Sequence, residues 1–186
     1  RTIHDRRLLL EDRMDLVDII IPRSAKISTD FESETMPAFI EETGFRQVIL
    51  NLVINARDAI ERTGRIKLSL KKVKKGKVIM KGAIGEKRIA PTEGAEITLS
   101  DNGNGIPTEL QEKLFDPFVT SKPSGSGSGF GLYNTKIFIE DHNGLIGFST
   151  IEGKGTTFFL FLPLETDEEE KPSKKVKRAK RATRAF

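Results

Sequence analysis

The sequence predicts a single α/β domain in which one mixed sheet carries helices on one of its faces. Its 186 residues, 37% of them hydrophobic and 31% charged, are enough for one hydrophobic core and too few for two full-sized domains. Two long segments have apolar residues at helical spacing, and shorter strand-like segments lie irregularly between and after them. No internal repeat is visible.

The first third of the chain holds two predicted helices separated by a short strand. Apolar residues at helical spacing predict a helix at residues 8–21, which Pro22 ends. A strand is expected at residues 25–31 and a turn at residues 33–37. The second helix, residues 41–61, carries an apolar stripe made of Phe45, Val48, Ile49, Leu52, Val53, Ala56 and Ile60.

The opposite side of this second helix is polar and regular. Asn51, Asn55, Asp58 and Arg62 fall at i, i+4, i+7 and i+11, so they share one side of the helix. Two carboxamides one turn apart form a candidate binding site.

The middle of the chain has the pattern of strands interrupted by an insertion. Strands are predicted at residues 65–73, 78–80 and 96–100, and the lysine- and glycine-rich segment between them is expected to form a long hairpin or insertion. This insertion, residues 71–94, is longer than a minimal domain needs, and its sequence indicates no function.

The last third begins with a short predicted helix at residues 108–114. Residues 116–129 are rich in glycine, serine and proline and are expected to form a mobile loop. Helical spacing returns at residues 130–142. Residues 145–151 and 156–162 are then expected to close the fold as a hairpin, turned by the four residues between them.

Composition excludes several classes of site. The absence of cysteine excludes disulfides and thiolate metal sites, and two histidines are too few for a histidine-rich metal site. The apolar segments are far shorter than the roughly 20 residues needed to span a bilayer. A reducing, cytoplasmic setting fits this composition.

The net charge of +4 comes from the end of the chain. Eight basic and no acidic residues lie from Lys171 onward, which leaves residues 1–170 with a net charge of −4. Nucleic acid is therefore not expected as a partner of the folded part. The acidic run at residues 165–170 and the lysines after it have no apolar residues to fold around, so residues 166–186 are expected to be a charged, disordered tail.

Two glycine-containing segments suit a phosphate ligand, although neither is specific alone. Residues 101–107, DNGNGIP, follow a predicted strand and are typical of a tight turn. Residues 125–131, GSGSGFG, lead into a helix, where free backbone N–H groups and the helix dipole favour a phosphate. Neither segment continues into the Gly-Lys-Ser/Thr sequence of a P-loop.

Five segments, taken together and in order, resemble the N, G1, F, G2 and G3 boxes of the catalytic and ATP-binding domains of sensor histidine kinases. They are RQVILNLVINARDA (46–59), DNGNGIP (101–107), LFDPF (114–118), GSGFGL (127–132) and GKGTT (153–157). The resemblance covers residues 15–164, nearly the whole folded part. The sequences NARDA and TSKP are similar to those of the nitrogen-regulator and hybrid-kinase branch.

The resemblance implies a Bergerat fold, which is an α/β (α+β) two-layer sandwich with a mixed, mostly antiparallel sheet covered by helices on one face. It implies one ATP-binding catalytic domain at residues 15–165. Residues 1–14 would then be a linker or the remnant of a preceding helical segment, and residues 166–186 the tail.

The resemblance also implies ATP and Mg²⁺ as ligands and gives the polar residues expected roles. Asp101 would accept a hydrogen bond from the adenine amino group, with Gly103 and Gly105 letting the backbone approach the base. Asn55 would present its carbonyl oxygen to Mg²⁺ as the metal ligand, and Asn51 would lie near the phosphates. These two asparagines are the expected catalytic residues.

The expected ATP lid is the loop at residues 115–129. Phe115 and Phe118 would anchor this lid on the core, and Lys122 would contact a phosphate. Glycines would approach the phosphates and threonines would support the pocket floor. The remaining expected nucleotide-binding residues are Gly127, Gly129, Gly131, Thr156 and Thr157, together with Asp58, Ile106, Phe118, Ser128, Phe130 and Leu132.

The implied function is transfer of the γ-phosphoryl group of ATP to a histidine on a separate dimerisation and phosphotransfer domain, for signalling to a response regulator. His4 has neither the neighbouring proline nor the sequence distance of the family's acceptor, so it is expected to be a bystander. His142 is expected to cap a helix C-terminus as a partly charged imidazole. The parent protein is compatible with membrane association.

Three alternatives stay open. The chaperone, gyrase and mismatch-repair ATPases share this fold, but they hydrolyse ATP with a glutamate where this chain has Asn51, and a carboxamide cannot accept a proton from water at neutral pH. A second alternative is a non-catalytic nucleotide-binding module, against which Asn55 and Asp101 argue. The basic tail could also be an arm that binds nucleic acid or a membrane surface.

Overall fold

The computed structural model describes residues 2–5, 25–34, 36–61, 63–81, 87–120 and 127–164. The helix expected at residues 8–21, Lys122 and the tail from residue 166 lie outside these residues. In chain order the elements are β1 (Thr2–Asp5), β2 (Ala25–Phe31), β3 (Pro37–Ile40), α1 (Glu42–Ala59), β4 (Gly64–Val73), β5 (Val78–Lys81), β6 (Lys87–Ile89), β7 (Gly94–Asp101), α2 (Thr108–Gln111), α3 (Gly131–Asp141), β8 (Leu145–Ile151) and β9 (Gly155–Pro163).

Five strands form the central sheet in the order β2-β4-β7-β9-β8. β2 pairs with β4 in parallel, and the other three pairs are antiparallel. Helices α1 and α3 pack on one face of this sheet. The expected mixed, mostly antiparallel sheet with helices on one face is therefore confirmed.

Three short strands, β1, β3 and β6, were not expected from the sequence. β1 pairs with β3 in a two-stranded sheet of its own. The sequence predicted a turn at residues 33–37, but Pro37 is the first residue of β3. Proline is tolerated as the first residue of a strand because its missing N–H need not join the ladder there. The helix expected at residues 108–114 is also shorter and ends at Gln111, with turns continuing to Phe115.

Helix α1 supplies the largest apolar face of the core. The carboxylate of Glu41 caps it by accepting from the N–H groups of Thr43 (2.8 Å) and Gly44 (2.6 Å). Its buried side chains are Phe45, Val48, Ile49, Leu52, Val53 and Ala56, as the helical spacing predicts. They pack against alternate residues of the strands, which include Ile66, Leu68, Leu70, Ile97, Leu99, Leu160 and Leu162.

The other face of the central sheet carries polar pairs and the β5–β6 hairpin. Lys67 pairs with Asp30 (2.8 Å), Lys71 pairs with Glu96 (2.9 Å), and the hydroxyls of Ser100 and Thr157 lie 2.8 Å apart. The hairpin forms a second small core of Val73, Ile79, Ala90 and Phe161 on this face. In the described part of the chain, no helix is long and apolar enough to cross a membrane.

Candidate functional site

A half-buried carboxylate, that of Asp101, lies at the end of β7, where the chain leaves the central sheet. The Oδ1 atom of Asp101 accepts hydrogen bonds from the backbone N–H groups of Gly103 (2.8 Å) and Thr156 (3.3 Å). Its Oδ2 atom has no hydrogen-bond partner among the described residues. Burial raises the pKa of this carboxyl above its ordinary value, against the opposing effect of the two N–H donors.

Thr150, which the sequence analysis missed, holds the surroundings of this carboxylate together. Its buried hydroxyl accepts from the N–H of Ile106 (3.0 Å) and donates to the carbonyl of Gly155 (3.1 Å). It also lies 3.1 Å from the hydroxyl of Thr156. Since a hydroxyl has one proton, the Thr156 hydroxyl must be the donor in this pair. We call Asp101, Gly103, Thr150, Gly155 and Thr156 the Asp101 cluster.

The glycines around Asp101 are required by contacts inside the fold, which differs from the expected reason. A Cβ on Gly103 would lie 2.5 Å from the carbonyl oxygen of Ala59, so this glycine lets the loop pack on the end of α1. Gly105 has a φ of +72° and its Cβ would lie 2.5 Å from the carbonyl oxygen of Ile151. Both glycines therefore have a structural reason inside the fold, and their expected role in letting the backbone approach a base stays a prediction.

The loop after Asp101 is also bonded to the end of α1. The N–H of Asn104 donates to the carbonyl of Ala59 (2.9 Å), and its side chain donates to Glu61 (2.6 Å). This attachment puts the Asp101 cluster beside the last turn of the helix that carries the two candidate asparagines.

The polar side of α1 contains one asparagine with hydrogen-bond partners and one without. The side chain of Asn51 accepts from Gln47 (2.8 Å) and donates to the carbonyl of Gly131 (3.2 Å), at the first residue of α3. Asn55, one turn later, is half-buried, and its amide has no partner within the described part of the chain. We call Asn51 and Asn55 the asparagine face.

The third polar residue on this side of α1 is Asp58. Its carboxylate lies 2.6 Å from the guanidinium of Arg57, with both side chains partly exposed. The guanidinium of Arg57 is therefore engaged by a neighbouring carboxylate.

The two ends of the expected lid meet at one backbone contact. The N–H of Phe118 donates to the carbonyl of Gly129 (3.1 Å), and the rings of Phe118 and Phe130 lie 4.7 Å apart. Phe115 packs against the core beside Phe148, as expected for an anchor. Phe118 is 72% exposed, so the expectation that it anchors the lid on the core was wrong.

The remaining expected site residues have mixed surroundings. Leu132 and Ile106 pack against the main core. The Ser128 hydroxyl accepts from the N–H of Phe130 (3.3 Å), and Gly127 is half-buried beside it. Thr157 pairs with Ser100 on the open face of the sheet, away from Thr156.

His142 joins the end of α3 to the start of α1 through its ring. Its Nε2 accepts from the N–H of Glu41 (3.3 Å), and its Nδ1 lies 2.7 Å from the carbonyl of Phe138. The expected position at a helix C-terminus is confirmed, since His142 directly follows the last residue of α3.

The asparagine face fits a magnesium ion that arrives with a phosphate ligand. No group of three or more acidic, histidine or cysteine side chains is assembled as a metal site in the described residues. The unpartnered amide of Asn55 offers one hard oxygen ligand. Mg²⁺ commonly takes one or two protein oxygens and fills its other positions with water and phosphate oxygens.

A protein-family model matches residues 40–166 of this chain, and it describes the histidine kinase-, DNA gyrase B-, and HSP90-like ATPase family. The match spans both the Asp101 cluster and the asparagine face. The chain belongs to this family.

Curated relatives of the chain are sensor histidine kinases. The chain is 29% identical to the sensor kinase CckA of Brucella abortus, in a match that covers 88% of this chain and 18% of CckA. It is 30% identical to the sensory histidine kinase/phosphatase NtrB of Vibrio alginolyticus, covering 88% of this chain and 44% of NtrB. The resemblance to sensor histidine kinase catalytic domains is confirmed, and the chain spans less than half the length of these relatives.

A solved structure has the same fold. The mycobacterial sensor histidine kinase MprB superposes with a TM-score of 0.69 at 20% sequence identity, covering 88% of this chain and 98% of that chain. The arrangement of sheet and helices described above is thus also that of this solved structure.

Proposed function

We propose that this chain binds Mg-ATP and transfers its γ-phosphoryl group to a histidine on a separate dimerisation and phosphotransfer domain. A response regulator would receive the phosphoryl group afterwards. The observation that carries the proposal is a half-buried carboxylate at Asp101, with Oδ2 free of described partners, beside the end of the helix that carries the magnesium-compatible amide of Asn55.

Asp101 would recognise the adenine ring of ATP. Its Oδ1 is already saturated by two backbone N–H groups, which leaves Oδ2 for a ligand. An exocyclic amino group is an N–H donor, and it would supply the hydrogen bond that Oδ2 lacks in the half-buried site. A guanine ring would present a carbonyl oxygen at the same place, so we expect ATP to bind more tightly than GTP.

The asparagine face and the start of α3 would hold the triphosphate. When bound, Mg²⁺ would neutralise negative charge on the phosphate oxygens. Asn55 would contribute one oxygen ligand to the ion. The N-terminus of the eleven-residue helix α3, with Gly131 as its first residue and Gly129 just before it, would present N–H groups that favour phosphate oxygens.

Asn51 favours phosphoryl transfer over hydrolysis. A hydrolase of this family needs a base that removes a proton from water, and both polar atoms of Asn51 are engaged by Gln47 and Gly131. A kinase can work without such a base because phosphoryl transfer depends mainly on positioning and charge stabilisation. The acceptor histidine would bring its own acidic neighbour.

The domain limits and the setting of the parent protein follow from the same proposal. Residues 15–165 would form the catalytic domain, with residues 1–14 leading from the phosphotransfer domain and residues 166–186 as a tail. The relatives are sensor kinases, so we expect this domain to act in the cytoplasm on the phosphotransfer domain, which would pass the phosphoryl group to the receiver domain of a response regulator.

Isothermal titration calorimetry tests the binding half of the proposal. We expect ATP and a non-hydrolysable analogue to bind with equal stoichiometry, more tightly with Mg²⁺ than without it, and GTP to bind more weakly. Equal ATP affinity with and without Mg²⁺ would contradict the proposed role of Asn55. Equal affinity for ATP and GTP would contradict the proposed role of Asp101.

A further inference from the structure

The turn that leads into the β5–β6 hairpin is an exposed basic surface. Lys74, Lys75 and Lys77 are all exposed there, and we call them the basic turn. The hairpin continues from it with an apolar cross-strand pair, Val78 and Ile89, which are 44% and 55% exposed. The nucleotide site does not use these residues.

The lysines of the basic turn differ from three lysines of β4, each of which forms an ion pair with a carboxylate. Lys67 pairs with Asp30, Lys71 with Glu96, and Lys72 with both Glu34 (2.9 Å) and Glu93 (3.5 Å). The three lysines of the basic turn form no ion pair with any residue that the structure describes. Three uncompensated positive charges over four residues favour an acidic occupant.

The chain leaves the sheet beside this turn. The N–H of Leu164 donates to the carbonyl of Glu93 (3.1 Å), directly after β9 ends. Glu93 lies three residues after Ala90, and Ala90 is bonded to both Lys77 (2.8 Å) and Gly76 (2.9 Å). The exit point is therefore within about 15 Å of the basic turn, because each residue spans at most about 3.6 Å.

The sequence that follows this exit is acidic. Residues 165–170 contain five carboxylates in six residues: Glu165, Asp167, Glu168, Glu169 and Glu170. Six extended residues reach about 20 Å, which is enough to bring several of these carboxylates onto the basic turn. A segment tethered so closely has an effective concentration in the millimolar range, which a free acidic competitor must exceed.

We propose that residues 165–170 dock on the basic turn of the same chain. The occupant is the chain's own acidic segment, held by charge and placed by the Leu164–Glu93 bond. This interaction gives a role to the lysine-rich insertion and to the acidic run, neither of which the nucleotide site explains. It depends on salt, because about 1 M salt shortens the screening length to about 3 Å.

Zero-length carbodiimide coupling of the full chain, followed by peptide mass spectrometry, tests the proposal. We expect amide cross-links from residues 165–170 to Lys74, Lys75 or Lys77, and we expect high salt during coupling to suppress them. The Lys67–Asp30 pair is the internal positive control. Lys154, exposed in the turn at the opposite end of the sheet, is the negative control.

A charge swap distinguishes docking of residues 165–170 on the basic turn from non-specific carbodiimide coupling. Lys74→Glu, Lys75→Glu and Lys77→Glu together should abolish the cross-links measured between residues 165–170 and the hairpin. Adding Glu168→Lys, Glu169→Lys and Glu170→Lys to that variant should restore coupling with the donor and acceptor sides exchanged. Unchanged coupling in the first variant, or no restoration in the second, would overturn the proposal.

Other occupants of the basic turn appear as distinct results. A mixture of ¹⁵N-labelled and unlabelled chains that gives mixed-isotope cross-links would show docking on a second copy. Coupling of residues 165–170 only to Lys171, Lys174 or Lys175 would show local pairing within the tail. Binding of phosphatidylserine vesicles that depends on the basic turn, without any tail cross-link, would make the turn a lipid site. Each of these results contradicts docking within one chain.

Discussion

The Asp101 cluster, beside the last turn of α1, and the asparagine face, on the polar side of α1, are built in opposite ways. In the Asp101 cluster the half-buried carboxylate and the Thr150 hydroxyl are bonded to backbone groups, and glycines pack against neighbouring carbonyls. On the asparagine face one amide has no partner among the described residues, and Gly131 has room beside it.

This difference separates recognition from transfer. The rigidly held Asp101 carboxylate can select adenine because it cannot rotate to form a hydrogen bond with a different base. The Asn55 amide, which has no partner among the described residues, can coordinate a magnesium ion that binds and leaves with each nucleotide. We therefore expect changes at the glycines of the Asp101 cluster to affect folding, changes at its carboxylate to affect binding, and loss of the Asn55 amide to affect transfer while the fold survives.

Gly155→Ala is the change with the largest expected effect. Gly155 has a φ of +121°, and a Cβ there would lie 2.1 Å from the carbonyl oxygen of Asp101. We expect a loss of about 2–5 kcal/mol in the free energy of unfolding, from backbone strain and overpacking together. Urea denaturation measures this loss.

Gly153→Ala is the matched control for that prediction. Gly153 also has a positive φ, +77°, but nothing lies within 4 Å of its added Cβ. We expect a cost of only about 1–2 kcal/mol, which is that of the left-handed backbone alone. Equal losses in the two variants would show that contact with Asp101 does not hold the cluster together.

Asn55→Ala should abolish most of the transfer and leave the fold intact. We expect transfer to fall by about 10²–10³-fold, the scale for removing one group that stabilises transition-state charge. The free energy of unfolding should change by no more than about 0.5 kcal/mol, since the amide has no described partner to lose. Leu52→Ala, in the core, should cost about 2–5 kcal/mol. A comparable loss in Asn55→Ala would instead indicate a structural asparagine.

Asp101→Asn should weaken binding without weakening the fold. The amide oxygen can still accept from Gly103 and Thr156, but the NH₂ group then faces the adenine amino group as a second donor. We expect ATP affinity to fall by about 1.5–3 kcal/mol, the value of a hydrogen bond to a charged group. Calorimetry measures this, and unchanged affinity in a folded variant would contradict the adenine assignment.

The pH dependence of the free energy of unfolding gives a second test of Asp101→Asn. Burial raises the folded-state pKa of Asp101 above the ordinary 3.8, so the folded state holds the proton more tightly than the unfolded state. Ionisation of Asp101 therefore lowers stability as pH rises from the unfolded pKa through the folded one. Asp101→Asn removes this contribution, and its stability relative to the wild type should increase across that pH range.

Gly131→Ala has the smallest expected effect on stability, and Gly129→Ala is its matched comparison. A Cβ on Gly129, whose φ is +70°, would lie 2.5 Å from the backbone of Phe118, so we expect a cost of about 1–3 kcal/mol and impaired transfer. The nearest atom to a Cβ on Gly131 is Asn51 Cγ, at 3.7 Å. Gly131→Ala should therefore change the free energy of unfolding by no more than about 0.5 kcal/mol. A larger loss there would mean that the start of α3 is as tightly fixed as the Asp101 cluster.

The long elements and the position of the site were predictable from the sequence. The apolar stripe of α1 specified which face is buried, and β2 and β8 have the bounds that their patterns predicted. Both follow from periodicity over many residues. The motifs also singled out Asp101 and Asn55, whose roles toward ATP and Mg²⁺ stay predictions.

Other features depend on contacts that the sequence does not state. Thr150 looks like any strand threonine, and only the pairing of β8 with β9 brings its hydroxyl to Ile106 and Gly155. Strand β3 is four residues long and begins with proline, so it has no readable period. The ring of Phe118 packs on Phe130, the residue that follows the lid. Hydrophobicity alone cannot distinguish this contact from a contact with the core.

Transfer of label from radiolabelled ATP tests the central claim most directly. The chain is incubated with Mg-ATP alone, and then with a dimerisation and phosphotransfer domain that carries an acceptor histidine. We expect no label on the chain alone and little ATP turnover, because Asn51 is not a base, and phosphohistidine on the added domain because docking positions the acceptor. Strong label on His4 or His142, or brisk ATP hydrolysis without the added domain, would contradict the claim.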